Sequence, residues 1–279
     1  MSKCDFCGQE AGLLRKRHKE CQDKHDRGLE QLGALTAQAA LGHQALASLK
    51  ERAARVAAVS FIPGSELPSI LIQGWEKAVD TALEDDILTK DEENALDAYR
   101  EHFSLTQRDL DAHHAYTKLV KGGVIRDLLE GKLPERVNIS GTIPFNMQKS
   151  EALRWAFNDV EYYEERQRTT YSGSYQGASV RVAKGLYYRV GGFRGNPVVT
   201  SQIVHMATGV LGITEKHMYF AGGNKAFRIP YGKVVAFTPY SDGIGIQRDA
   251  TSAKPQVFKT GDGWFTYNLV QNLARMAAA

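Results

Sequence analysis

The stretch GVLGITEKHMYFAGGNKAFRIPYGKVVAF, residues 209–237, decides how the C-terminal half of this chain folds. Its apolar residues recur in period two, the pattern of strands with one buried face. Between the runs, AGGNK (221–225) supplies residues that tolerate positive φ, as a hairpin turn requires. The same pattern continues on both sides. EALRWAFNDVEYYEE (151–165) puts Leu153, Trp155 and Phe157 on alternate positions, followed by Val160 and Tyr162. SVRVAKGLYYRVGG (179–192), VVTSQIVHMATG (198–209), AFRIPYGKVVAFTPYSDGIGIQRD (226–249) and PQVFKTGDG (255–263) repeat it, with turns at SDGI (241–244) and GDGW (261–264). WFTYNLVQNLARMAAA (264–279) then sets Phe265, Leu269 and Leu273 four apart, the spacing of an amphipathic helix. About seven strands and one helix predict a small barrel whose open end the helix plugs.

Gly209, Leu211, Thr214, Phe220, Ile229, Pro230, Tyr231 and Val235 resemble the core hairpin of GRAM and bacterial PH-like domains. There a strand ending in a Leu–Thr-like step leads to Phe, a polar turn and an Ile-Pro-Tyr step. The resemblance implies a PH-like fold for residues 143–279 and a binding role through lipid, peptide or protein contacts, without catalysis. Phosphoinositide sites of PH domains gather basic residues in an early strand–loop–strand. Arg181, Lys184, Arg189 and Arg194 occupy that region here and become candidate ligand-binding residues. Arg181 and Arg189 share parity, whereas Lys184 sits at a turn.

The N-terminus carries a different chemistry. KCDFCGQEAGLLRKRHKEC (3–21) contains all three cysteines of the chain. An odd number clustered at one end argues against a disulfide framework and for a metal site. Cys4 and Cys7 form a C-x2-C knuckle followed by Gly8, where a tight turn favours glycine. His18 and Cys21 complete C-x2-C-x10-H-x2-C, a tetrahedral zinc set with no open position and therefore structural. His25 is the alternative fourth ligand, since Cys21 and His25 share a helical face; the shorter loop favours His18. Arg15, Lys16, Arg17 and Lys19 raise nucleic-acid contact as an alternative, but Phe6 is the one aromatic residue near them for stacking.

No proline interrupts Leu13 to Val59, and the composition favours one long helix. Leu32, Leu35, Ala39, Gly42, Leu46, Leu49, Ala53 and Val56 alternate three and four apart. That seam serves a coiled-coil homodimer or an intramolecular hairpin equally well, and the glycines at 28, 33 and 42 are candidate breaks. FIPGSELP (61–68) ends the helix. ILIQGWEKAVDTALEDDILTKDEENALDAYREHF (70–103) reads as two helices around an acidic turn, with Thr89 and Glu92 as a capping box. It resembles the helix–acidic turn–helix units of TerB-like bacterial domains. Asp85, Asp86, Asp91, Glu92 and Glu93 lack the alternation and glycine of a calcium loop. Ser104 and Thr106 are candidate caps of further helices, and the adjacent His113 and His114 diverge on a helix too far to share a metal. The expected organisation is a zinc knuckle (1–27), a long helix (28–60), an acidic helical region (61–142) and a PH-like β domain (143–279), an α+β chain.

The net charge of +3 over 279 residues conceals an asymmetry. Residues 76–111 hold 12 acidic and 4 basic side chains, whereas 166–279 hold 14 basic and 4 acidic. Docking between these segments, separate partners and plain solvated faces are all compatible with that division. No apolar run is long enough to span a bilayer, and the first 30 residues are polar, which predicts a cytoplasmic protein. Nucleophile-elbow, P-loop, zincin and dinucleotide fingerprints are missing, and GGFRGNP (191–197) lacks the Lys–Ser/Thr pair of a phosphate loop. Trp75, Trp155 and Trp264 are expected in cores, and His205 and His217 in strands. The expected function is that of a non-catalytic adaptor, sensor or accessory protein binding a protein partner, with one structural zinc. Nucleic acid and anionic membrane lipid are the alternative partners.

Overall fold

A computed structural model describes residues 2–12, 15–85, 87–137, 142–183, 186–250 and 253–278, with backbone only for 167–183 and 186–201. The chain divides into two compact units, Met1–Arg136 and Val137–Ala279. Among the described residues no helix is long and apolar enough to cross a membrane.

In the first unit, two short antiparallel strands, β1 (Ser2–Lys3) and β2 (Glu10–Gly12), precede six helices. These are α1 (Lys19–Ala40), α2 (Leu49–Val59), α3 (Leu67–Ala82), α4 (Lys90–His102), α5 (Gln107–Leu110) and α6 (Ala115–Leu129). The single long helix expected from Leu13 to Val59 is therefore broken in two. Gly42, at φ 78°, takes the left-handed position after α1. Its N–H bonds Ala39 O at 3.1 Å and His43 N–H bonds Gln38 O at 3.0 Å, a Schellman termination. Beyond it α2 runs back along α1. Leu32 then meets Ala53 and Ala57 in one cluster, while Leu35, Ala39 and Leu49 share the larger core with Trp75 and Leu96. The buried residues of the heptad seam are thus packed within the chain, by the hairpin.

Helix α3 crosses α1 where Gly74 lies against Thr36; a Cβ at Gly74 would fall 2.1 Å from Thr36 Oγ1. Trp75, fully buried, donates its indole N–H to Leu96 O at 3.0 Å. The capping box at α4 forms as read: Thr89 Oγ1 accepts from Glu92 N–H at 3.3 Å and Glu92 Oε2 accepts from Thr89 N–H at 2.9 Å. Thr106 and Asp109 make a second box at α5. Ser104 is not an N-cap. It holds the left-handed position after α4 at φ 54°, with Leu105 N–H bonded to Arg100 O at 2.9 Å.

The second unit is one antiparallel sheet of seven strands, curled into a half-barrel, with a C-terminal helix. The strands are β3 (Leu153–Ala183), β4 (Leu186–Thr214), β5 (His217–Gly222), β6 (Lys225–Pro230), β7 (Val234–Pro239), β8 (Gly243–Arg248) and β9 (Gln256–Lys259), followed by α7 (Gly263–Ala278). The order β6-β5-β4-β3-β9-β8-β7 brings the last strand beside the first and leaves β6 and β7 as edges. The period-two runs at 151–165 and 179–183 belong to one strand, paired with β4 as far as Ala183↔Leu186. Tyr162, Phe220 and Phe258 fill the inner face, and Phe265 of α7 meets Trp155 edge-on at 4.7 Å. Thr214, one of the residues carrying the family resemblance, closes the β4–β5 turn. Its hydroxyl accepts from His217 N–H at 2.9 Å and donates to Glu151 Oε2 at 2.7 Å. Tyr231 O–H donates to Thr214 O at 2.9 Å, tying the β6–β7 connection to the same turn.

Candidate metal centre and ligand faces

The knuckle is built by short-range geometry. Gly8 adopts φ 73°, so the chain can turn back after Cys7. Gly8 N–H bonds Cys4 O at 2.9 Å and Cys4 N–H bonds Gln9 O at 2.7 Å. His18 lies immediately before α1 and Cys21 in its first turn, so both face the knuckle. One ligand atom from each of Cys4, Cys7, His18 and Cys21 lies within 4.8 Å of all the others. All three cysteines are free thiols.

Metal–sulfur bonds of about 2.3 Å and metal–nitrogen bonds of about 2.0 Å place S and N about 3.5 Å apart on a tetrahedron. His18 Nδ1 lies 3.3 Å from Cys7 Sγ and 3.8 Å from Cys21 Sγ, on either side of that value. The other ring nitrogen, Nε2, is 2.9 Å from Glu10 O. Donating its N–H there leaves the Nδ1 lone pair facing the sulfurs, the outer-sphere contact that orients a metal-bound imidazole. The Glu10 carbonyl and the Cys7 sulfur both favour the imidazolium, so His18 titrates above the ordinary histidine range. Burial pushes the Cys4 thiol up, but N–H groups of Cys7, His18 and Phe6 outweigh it and bring it down to about 6. Burial and the neighbouring Cys7 and Cys4 sulfurs push Cys21 up to about 11. Three cysteine sulfurs and an imidazole packed this closely fit a cation, which on binding would hold the sulfurs as thiolates.

His25 is used elsewhere. Its Nδ1 is 3.1 Å from Ser60 O and its ring stacks on Phe6 at 4.6 Å. Phe6 also stacks on Phe61 at 5.7 Å and carries the Arg17 guanidinium at 4.6 Å. The aromatic ring near the basic insert is thus taken up in packing, and Arg17 pairs with Asp5 at 3.4 Å.

Comparison with protein-family models and with curated proteins finds no match to the chain.

Of the four basic residues singled out on the sheet, Lys184 lies outside the described residues, as do the side chains of Arg181, Arg189 and Arg194. Their backbones pair Arg181↔Tyr187, Ser179↔Arg189 and Ser174↔Arg194. Two other surfaces of the second unit escaped the sequence reading. At one end of the half-barrel, Glu164, Arg248, Lys254 and Gln256 line a polar hollow of about 120 Å³. Arg166 and Lys225 each approach Glu164 at 4.0 Å, Arg248 and Lys254 share its hollow, and among the described residues Arg248 Nε is buried without a hydrogen-bond partner. On the sheet's outer face, Tyr163, Ile203, Tyr240 and Val257 border a hollow of about 220 Å³. Ile203 is 63% exposed and Tyr240 45%. Trp264, expected in a core, is 44% exposed, because the first turn of α7 points Phe265 inward instead. His205 is exposed on β4, and His217 is buried at the start of β5 with Nδ1 2.8 Å from Glu151 Oε1.

Proposed function

We propose that this chain is a non-catalytic zinc-binding adaptor whose second unit is PH-like and docks a protein partner. The strand order, the C-terminal helix and the packing of Leu211, Thr214, Phe220, Ile229 and Tyr231 in the core support the PH-like assignment. Cys4, Cys7, His18 and Cys21 hold the zinc, which supplies cross-linking of the N-terminal knuckle and no open coordination position. The observation that carries partner binding is the exposed apolar platform of Tyr163, Ile203, Tyr240 and Val257, with Lys259 and Asp242 at its border. Aromatic and aliphatic anchors framed by charge are what interface centres use. Quantitative affinity capture from the native host, with tagged full-length wild type beside Ile203→Asp, tests this. A partner held by the wild type and lost from the variant is expected; equal recovery by both would overturn the platform as the docking face.

A second reading, recruitment to anionic membrane lipid, is favoured by Arg166 and Lys225 beside Glu164, by Arg248 and Lys254 in the same hollow, and by Arg248 Nε, unpartnered among the described residues. Flotation of the full chain with vesicles containing phosphatidylserine or phosphoinositide separates the two. Binding that weakens with salt and with Arg248→Ala plus Lys254→Ala supports the lipid reading.

A further inference from the structure

One hollow bordered by described residues belongs to neither the zinc knuckle nor the sheet. It is a half-open cavity of about 520 Å³ within the first unit, a size typical of small-molecule sites. Its walls are Leu67, Ile70 and Leu71 of α3, Ala53 of α2, and Phe103 and Leu105 beyond α4. The left-handed Ser104 between those last two turns the chain so that both reach the cavity wall. Thr36 contributes the one deeply buried polar side chain, and its hydroxyl is already committed to Leu32 O at 2.8 Å. Among the described residues the interior therefore offers apolar contact and no free side-chain hydrogen-bond donor.

The rim is different. Lys50 and His102 border the opening, and among the described residues no carboxylate lines it. Among the described residues the Lys50 ammonium has no ion-pair partner, in a unit whose acidic residues outnumber basic ones around the neighbouring helices. His102 touches the Phe103 ring edge-on at 4.7 Å. An apolar hollow with an unpaired cation at its mouth is complementary to an amphipathic anion: an aliphatic tail inside, an anionic head at Lys50. A neutral apolar ligand would leave that cation unused, and a purely polar anion would leave the leucine walls in water.

We propose that this cavity binds an aliphatic carboxylate, with the chain between α3 and the segment after α4 and the carboxylate on Lys50. The probe is decanoate, titrated calorimetrically into delipidated full-length protein, with decanol, of the same chain length, as the uncharged control. Saturable binding at one site per chain is expected, weakened by roughly tenfold or more for decanol and for Lys50→Glu, the loss of one charge-assisted hydrogen bond. Lys50 is exposed, so the variant keeps the fold, and an unchanged melting temperature verifies it. Methyl NMR locates the ligand: shifts confined to Leu67, Ile70, Leu71 and Leu105 support the proposal. Absence of binding, equal affinity for decanol, an unaffected Lys50→Glu variant, or shifts mapping to the second unit would each overturn it. So would light scattering that shows a dimer in which these methyls are already covered by a second copy.

Discussion

His18 and His25 lie seven positions apart, yet they do opposite jobs, and one hydrogen bond on each ring decides which. Glu10 O takes the Nε2 proton of His18 and so turns Nδ1 toward Cys7 and Cys21. Ser60 O faces Nδ1 of His25, and Phe6 covers that ring. His18→Ala therefore removes a candidate ligand and should weaken the binding of added zinc by more than about a hundredfold, beyond the usual effect of losing an outer-sphere contact. His25→Ala should keep one zinc per chain while loosening the stack of Phe6 on Phe61. Metal content by mass spectrometry, with competition against a chromophoric chelator, checks both. Zinc lost from His25→Ala and retained by His18→Ala would reverse the assignment. The cluster of four candidate ligands was legible in the sequence because they sit within 18 residues, where turn and helix geometry alone bring them together. The shorter loop favoured His18 over His25, but what occupies His25 was not legible, because its partner, Ser60, is 35 residues away.

Three glycines in the first helical stretch looked alike in the sequence, and the elements treat each differently. Gly42 ends α1 with positive φ. Gly28 admits Ser60, whose Cβ would lie 2.2 Å from a Cβ at position 28. Gly33 has nothing within 4 Å of such an atom. Gly74, in α3, repeats the Gly28 situation at the crossing with α1, where even the Thr36 carbonyl carbon lies 3.1 Å away. Alanine favours a helix over glycine by about 1 kcal/mol, so Gly33→Ala should stabilise by up to that amount. At Gly74 overpacking dominates, and Gly74→Ala should destabilise by about 1–3 kcal/mol. Urea unfolding followed by helical circular dichroism compares them; a stabilised Gly74→Ala would mean that α1 and α3 separate freely. The heptad seam was equally readable, but its pattern fits a dimer and a hairpin alike. Only the left-handed turn at Gly42, which lets α2 return along α1, selects the hairpin. Strands of the second unit were legible for the converse reason: period-two alternation and hairpin turns are local. The basic rim around Glu164 draws on β3, the β5–β6 turn and the β8–β9 connection, so no single window of sequence displays it.

At the scale of the whole molecule, the acidic middle and basic end of the chain were compatible with docking, separate partners or solvated faces, and part of the acidic charge is spent within the first unit. Glu93 of α4, its side chain 8% exposed, accepts hydrogen bonds from Arg126 of α6 and from Arg136, the last residue of the unit. Arg126 also donates to Thr89 O at 3.1 Å, and Arg136 chelates Asp127 and covers Gly123. One carboxylate thus joins α4, α6 and the segment that closes the unit. Burial alone would raise its pKa, but the two guanidiniums prevail and hold it down to about 2. A depressed carboxylate contributes stability that is complete above its unfolded value near 4.5 and is lost as pH falls toward 2. Glu93→Gln leaves two guanidiniums without their anion, which costs about 3 kcal/mol for a buried pair broken on one side. Hydrogen exchange resolved by peptide isolates this unit from the sheet. Wild-type peptides from α4 and α6 should lose protection between pH 4.5 and 2 more steeply than those of Glu93→Gln, which start lower and change less. Parallel losses in the two proteins would mean that other carboxylates govern the acid stability of the helical unit.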